Sequence, residues 1–484
     1  MDHSDGRLDG VGMIWLGACA GLGLRNRTNG LRTIVFRGLN MADRRYGGAG
    51  RGLGLAVVSG MLLVPFEHPL AQVAGGLETL GVRTERWNIF PSLGVSSVYN
   101  DNVFAVPDDD PSLEDGVYFT LAPAVRFEAN TQRHAFAITS GASIGRYLDQ
   151  TDQNFNNYFV DMSGRWDVSR TFDVTGSFGF SRAQEDQTDP DRALTGELRR
   201  ETTPINSFNA GLAAAKDWQR TFARASVGFA RTTYQSLDAT VFDEIAPGIL
   251  VPTDETVNVD ADRDRTRFPL NFRVGYDLDR DYSVFLNLGY TLVRFDEPEQ
   301  ILVQTGSFIT DVDDGDDQDF ETLSVRIGTG LDFDRVVSGD FAVGVERRFE
   351  DQEDADDDLS FSFDADLDWT LSPRTTLNLG GSQGFEPATG DDAGGSTLRT
   401  RLGLDLSYAL TRQISLGGNV GYVRDDRTEG ERQDDDITAG VDASYAVNRY
   451  ASVSAGYQFR ERTSTDADRE FSSNIVSLTL TGRY

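Results

Sequence analysis

From Trp87 to the C-terminus, apolar and polar side chains alternate in eighteen short runs. In Leu359–Leu371 one set is Leu359, Phe361, Phe363, Ala365, Leu367, Trp369 and Leu371. The other is Ser360, Ser362, Asp364, Asp366, Asp368 and Thr370. Gln413–Arg424 repeats the pattern, with Ile414, Leu416, Val420 and Tyr422 set against Ser415, Gly417, Asn419 and Gly421. Successive side chains of an extended chain point to opposite faces, so a period of two predicts strands with one apolar and one polar face. Short polar turns join the runs in pairs, and each turn holds an arginine: Arg133, Arg170, Arg220, Arg280, Arg335, Arg374, Arg412 and Arg449. Their near-regular recurrence marks a repeated unit, here a β-hairpin.

Longer, mostly acidic connections alternate with these turns. They are Asp101–Asp115, Leu148–Phe155, Gln184–Pro204, Leu237–Asp264, Asp296–Asp319, Phe349–Asp358, Glu386–Gly395, Asp425–Asp436 and Glu461–Glu470. Eight arginine turns and nine long connections are what eighteen antiparallel strands need when both termini share one end. Alternating strands suit a soluble sandwich, with the apolar face inside, or a membrane barrel, with the apolar face toward lipid. Aromatic residues flank the arginine turns (Trp166 and Phe172, Trp218 and Phe222, Tyr276 and Tyr282, Phe333 and Phe341, Tyr445 and Tyr450), as in an interfacial girdle. The polar face is mostly Ser, Thr, Gly and Asn. These features favour an all-β transmembrane barrel of an outer membrane, with short periplasmic turns and long acidic extracellular loops. A closed barrel also leaves no strand edge unpaired in lipid.

Composition narrows the function. Of 484 residues 39% are hydrophobic, and the formal charge is −32, which excludes a nucleic-acid partner because phosphate needs a basic face. No apolar stretch after residue 75 is long enough for a membrane helix. Arg44, Arg45 and Arg51 precede the apolar run Leu53–Phe66, and small residues follow at Ala71 and Ala74. Residues 41–74 therefore read as a secretory signal peptide starting at Met41. Residues 1–40 then read as upstream over-translation, 75–86 as a short periplasmic segment and 87–484 as the barrel. The only cysteine, Cys19, lies before the cut, so no disulfide or thiol chemistry is expected.

Catalytic chemistry finds no constellation. His134, in the Arg133 turn, has no partner that the pattern brings within hydrogen-bond reach. The stretch Asp311–Asp319 superficially suggests a calcium loop but puts Asp316 where the turn needs glycine. No metal and no cofactor are expected. Alternation turns a set of charges inward: Arg126, Glu128, Asp161, Arg165, Arg273, Arg326, Asp364, Asp366, Asp368, Arg399, Arg401 and Asp405. Rings of charge set pore selectivity, and mixed signs point to a hydrophilic wall rather than a strong single-sign filter.

Pro91-Ser-Leu93-Gly-Val95, the Tyr99–Phe104 phrase YNDNVF, the Arg133–Tyr147 stretch and the phrase RWDVSRTFDVTGSFGFSRAQED after Gly164 resemble a family of Gram-negative outer-membrane barrels. That family is described as outer membrane beta-barrel protein, or putative beta-barrel porin 2. The resemblance spans about residues 87–484. It implies a conduit for exopolysaccharide export, with a general or sugar-selective uptake porin, or a structural or adhesive barrel, as alternatives. It also implies periplasmic polysaccharide export proteins as partners, beside outer-membrane lipid and lipopolysaccharide. The ending Val476-Ser-Leu478-Thr-Leu480-Thr-Gly-Arg-Tyr484 resembles the C-terminal signal read by barrel assembly machinery. Gly482 departs from the bulky residue usual there.

Overall fold

Backbone amides and carbonyls in lipid must be paired, and the chain meets this by closing its sheet on itself. The computed structural model describes residues 81–84, 86–131, 133–185, 203–235, 238–246, 249–258, 261–298, 300–305, 308–314, 318–333, 336–350, 358–387, 396–427 and 432–484. The leader segments 1–40 and 41–74, and Arg335, lie outside the described residues.

The strands in chain order are β1 Val82–Arg83, β2 Asn88–Asn100, β3 Gly116–Asn130, β4 His134–Tyr147, β5 Phe155–Ser169, β6 Phe172–Gln184, β7 Pro204–Asp217 and β8 Thr221–Tyr234. They continue with β9 Asp238–Ala246, β10 Ile249–Asn258, β11 Arg265–Asp277, β12 Tyr282–Phe295, β13 Gln300–Thr305, β14 Phe308–Asp314, β15 Phe320–Phe333 and β16 Val337–Glu350. The last are β17 Leu359–Ser372, β18 Thr375–Pro387, β19 Ser396–Ala409, β20 Ile414–Arg427, β21 Gln433–Asn448, β22 Ala451–Ser464 and β23 Phe471–Arg483.

The nineteen-stranded sheet, less the short β1, is a ring of eighteen antiparallel strands. Closure is the β2–β23 ladder, running from Ser92 opposite Arg483 to Asn100 opposite Ile475. β1 folds back onto the first residues of β2, and the turn between them is tied by Thr84 and Trp87. Among the described residues no helix is long and apolar enough to cross a membrane, so crossing falls to the strands.

Two expected loops are more than loops. Leu237–Asp264 contains the β9–β10 hairpin and Asp296–Asp319 contains β13–β14, and one parallel bridge, Ile309 to Val241, links the pair into a small second sheet. Other connections are shorter than their acidity suggests: β16 runs on to Glu350, β20 to Arg427 and β21 begins at Gln433.

The burial pattern inverts that of a soluble protein. Ile327, Leu359, Val441 and Trp166 are each more than 60% exposed, while Ser362 and Ser477, on the opposite face, are 2% exposed or less. Apolar side chains toward lipid and small polar ones inward are the signature of a membrane barrel. One girdle assignment is corrected. Phe222 turns inward and packs with Phe285 and Ala342, because its register places it on the same face as Arg224. Trp166 and Trp218 are exposed as a girdle requires, and Phe333 meets Tyr282 edge-on at 4.7 Å. His134 opens β4, exposed, with its ring edge-on to Trp166 at 5.9 Å.

Candidate pore lining and mouth

The inner face is fixed by its opposite. Phe119 and Leu121 point outward on β3, so Arg126 and Glu128 point inward. The same parity turns Asp161 and Arg165 inward against Tyr158, Met162 and Trp166, Arg273 against Phe272 and Val274, and Arg326 against Val325 and Ile327. Asp364, Asp366 and Asp368 lie opposite Phe361 and Trp369, and Arg399, Arg401 and Asp405 opposite Leu406.

These charges are knitted into pairs rather than arrayed as one sign. Arg126 reaches Glu128 at 2.6 Å, and Arg165 reaches Asp167 at 2.8 Å and Asp173 at 3.7 Å. Arg273 crosses β12 and β15 to bond Asp340 of β16 at 2.6 Å, lying 4.1 Å over the Phe285 ring on the way. The Phe285 ring beneath it lies against Gly328, where an added Cβ would meet that ring and the Phe341 carbonyl. Arg326 bonds Glu346 at 2.8 Å and the Ser362 hydroxyl at 2.7 Å. Arg399 grips Asp425, with Nη2 to Oδ2 at 2.9 Å, while Arg401 holds Glu386 at 2.6 Å. From β11, Arg267 feels the charges of Glu386 and Glu346, so the same knot draws on three separate parts of the wall. Asp364 faces Arg326, Arg273 and Asp340, and Asp368 accepts from the Asn378 amide. The Arg126–Arg165 group on β3–β5 and the Arg399–Arg401 group on β18–β20 occupy different arcs of the ring.

Charge also changes along the axis. Toward the external ends of β16 and β18–β22 the wall interleaves Arg348, Arg399, Arg401, Arg427, Arg460 and Arg462 with Glu346, Glu350, Glu386, Asp425, Asp434 and Asp436. Just outside the membrane, Arg469 is pushed down to about 10 by burial and by Arg432 and Arg427. Toward the periplasmic ends the wall carries Asp167, Asp173, Asp217, Asp277, Asp332 and Asp340, with Asp364 to Asp368 on β17.

A family model described as putative beta-barrel porin 2 matches residues 76–484. The chain belongs to that family. Membership and the lipid-facing apolar wall place it as a β-barrel of the Gram-negative outer membrane and a porin-like channel, in a class of typically non-enzymatic transport proteins. Solved structures similar to it include the siderophore receptor PirA from Acinetobacter baumannii, at 8% identity over 81% of this chain and 80% of that one, TM-score 0.42. The copper transporter OprC is similar at 10% identity over 83% and 82%, TM-score 0.43. OccK3 (OpdO) of Pseudomonas aeruginosa is similar at 11% identity over 82% and 95%, TM-score 0.38. No curated protein matches the chain.

In this porin-family barrel the first external loop bends inward. Val103, Phe104 and Val106 are buried against Tyr147, an inner-face residue of β4. Beside them Val98, Tyr118, Phe155 and Ile475 form an apolar patch on the inner wall, again with Tyr147. Asn102 organises the bend: its amide donates to the carbonyls of Val106 (2.7 Å) and Ser472 (2.9 Å), and its oxygen accepts from the Val106 amide. Asp101 accepts from both the backbone and the side chain of Asn474. The YNDNVF phrase thus clasps loop and last strand across the closure seam. Ala105, at φ 50°, takes the left-handed turn that lets Phe104 and Val106 both face the wall.

Sequence reasoning missed the partners in these knots: Glu346, Glu386, Asp425 and Arg267. Glu386 and Asp425 fell in stretches read as acidic loops. Extending the parity of β18 and β20 outward would have recovered both. Phe104 and Asn102 carried no periodic signal. Among the described residues no group of three or more His, Cys, Asp and Glu is arranged to hold a metal ion. The calcium-like stretch lies partly outside the described residues.

Proposed function

We propose that the barrel is a passive conduit for a hydrophilic polymer, exopolysaccharide on its way out of the cell. The observation that carries this reading is the paired inner wall. Arginines held by carboxylates, as in Arg326–Glu346 and Arg399–Asp425, give neither a strong anion nor a strong cation filter. The solvent-accessible pairs of the same wall, Arg126–Glu128, Arg165–Asp167 and Arg273–Asp340, offer hydrogen-bonding edges suited to the hydroxyls of a sugar chain. An eighteen-stranded ring is wide enough for an aqueous path. Directionality would come from periplasmic export proteins at the end bearing the arginine turns, and lipopolysaccharide would surround the acidic loops. β23, completed by the stacking of Tyr484 on Tyr450 at 6.0 Å, would carry the signal for assembly machinery.

Deleting the gene should abolish polymer in the culture medium while polymer accumulates behind the outer membrane. Unchanged secreted polymer overturns the export reading. A sugar-selective uptake porin is the second reading, favoured by the inward bend of loop 101–115, which seats Val103, Phe104 and Val106 against Tyr147 of the inner wall. It predicts normal polymer output and slowed growth on a limiting sugar in the deletion strain.

A further inference from the structure

We propose that the arginine turns form a belt that binds the headgroup phosphates of anionic phospholipids in the periplasmic leaflet. Their recurrence invites the simpler idea that each arginine caps its own turn, but the capping is done by neighbours. Thr131 accepts from the His134 amide at 3.0 Å, Ser372 from the Arg374 amide at 3.2 Å, and Thr411 from the Ile414 amide at 2.9 Å. Ser169 accepts from the Thr171 amide at 3.3 Å, and Asn448 from the Tyr450 amide at 2.7 Å. In these five turns the amides are capped without the arginine side chain. Arg133, Arg170, Arg220, Arg374, Arg412 and Arg449 are all exposed, and among the described residues none is in an ion pair.

Two contacts locate two of these side chains. Arg220 donates to the hydroxyl of Tyr276 at 3.5 Å, and Arg449 sits 4.8 Å over the ring of Tyr450. Tyr276 is an outward girdle residue, and its strand neighbours Phe272 and Val274 face lipid. The guanidinium of Arg220 is thus at headgroup depth on the outer surface.

Of the carboxylates near this end, Asp167, Asp173 and Asp217 are on strand positions that face the lumen and Asp279 is exposed in the Arg280 turn, while the Arg220 guanidinium lies on the outside. A chain with formal charge −32 and a single lysine, Lys216, nonetheless presents guanidinium groups where it meets lipid phosphate. Arginine's planar fork suits a phosphate oxygen pair, and interfacial tyrosine and tryptophan fix the depth at which it is offered. The belt is independent of what passes through the lumen.

The test is native mass spectrometry of the full barrel released from micelles holding equal phosphatidylglycerol and phosphatidylethanolamine. Phosphatidylglycerol should be retained preferentially, with an electrostatic weight on the order of fivefold per arginine at low salt. The variant R133Q/R170Q/R374Q/R412Q should lose at least about tenfold of that preference while keeping the heat-modifiable gel mobility of a folded barrel. Raising ammonium acetate should erode the wild-type preference in the same way, which tests the idea even if the variant fails to fold. Equal retention of the two lipids by the wild type, or an undiminished preference in a folded variant, overturns the proposal.

Discussion

Each side chain in the wall is judged by which of two solvents it meets, and substitutions should divide accordingly. Ile327 is 67% exposed at the middle of β15, facing lipid. Ile327→Arg should destabilise the barrel by about 2–4 kcal/mol in urea titrations in vesicles, the cost of a charge near the bilayer midplane. Asp425→Ala on the inner face should also be costly, for a different reason. Arg399 and Asp425 are 6% and 1% exposed, so removing the acid takes the closest carboxylate from a buried guanidinium and leaves it Glu386 at 3.5 Å, a loss of up to about 3–5 kcal/mol. Replacing the exposed pair partner Asp167, 38% accessible beside Arg165, should change stability by less than about 1 kcal/mol. If Asp425→Ala proves as mild as Asp167→Ala, the knot around Arg399 is solvated and contributes little rigidity.

At the scale of elements, the clasp in loop 101–115 is the device with most to test. Asn102→Ala removes bonds to Val106 and Ser472 and the bond from the Val106 amide. Leaving buried backbone groups unpaired should cost about 1–3 kcal/mol and lower the temperature at which the folded gel band disappears. Release of Phe104 from the inner wall should also widen the mouth, so single-channel conductance should rise; an unchanged value would mean the loop does not bound the path. The strands themselves were legible in the sequence because a two-residue period survives wherever one face meets lipid. The hairpins β9–β10 and β13–β14 were not, since outside the membrane nothing forces their faces to differ. The inward face of Phe222 was hidden for a related reason: an aromatic beside a turn looks the same whether it packs in a lumen cluster or sits in a girdle. The candidate lining was half legible. Parity gives the direction of Arg326 or Arg399, but partners such as Glu346 and Asp425 arise from register between strands, which one strand's pattern does not contain.

For the whole molecule, the ring and the lining combine into one claim: hydrophilic solute crosses the outer membrane through the centre of the barrel. The periplasmic half, with Asp366 and Asp368 on β17 and Asp405 on β19, carries an excess of acid, while the external half interleaves arginines with carboxylates, and the difference makes that path electrically lopsided. The direct measurement is single-channel recording of the purified barrel in a planar bilayer under a potassium chloride gradient. The account predicts stable conductance steps, modest selectivity between the ions and a current that differs with the sign of the voltage. Insertion of folded barrel with no conductance steps would contradict it, because the lumen would then be closed to the solute it is meant to pass.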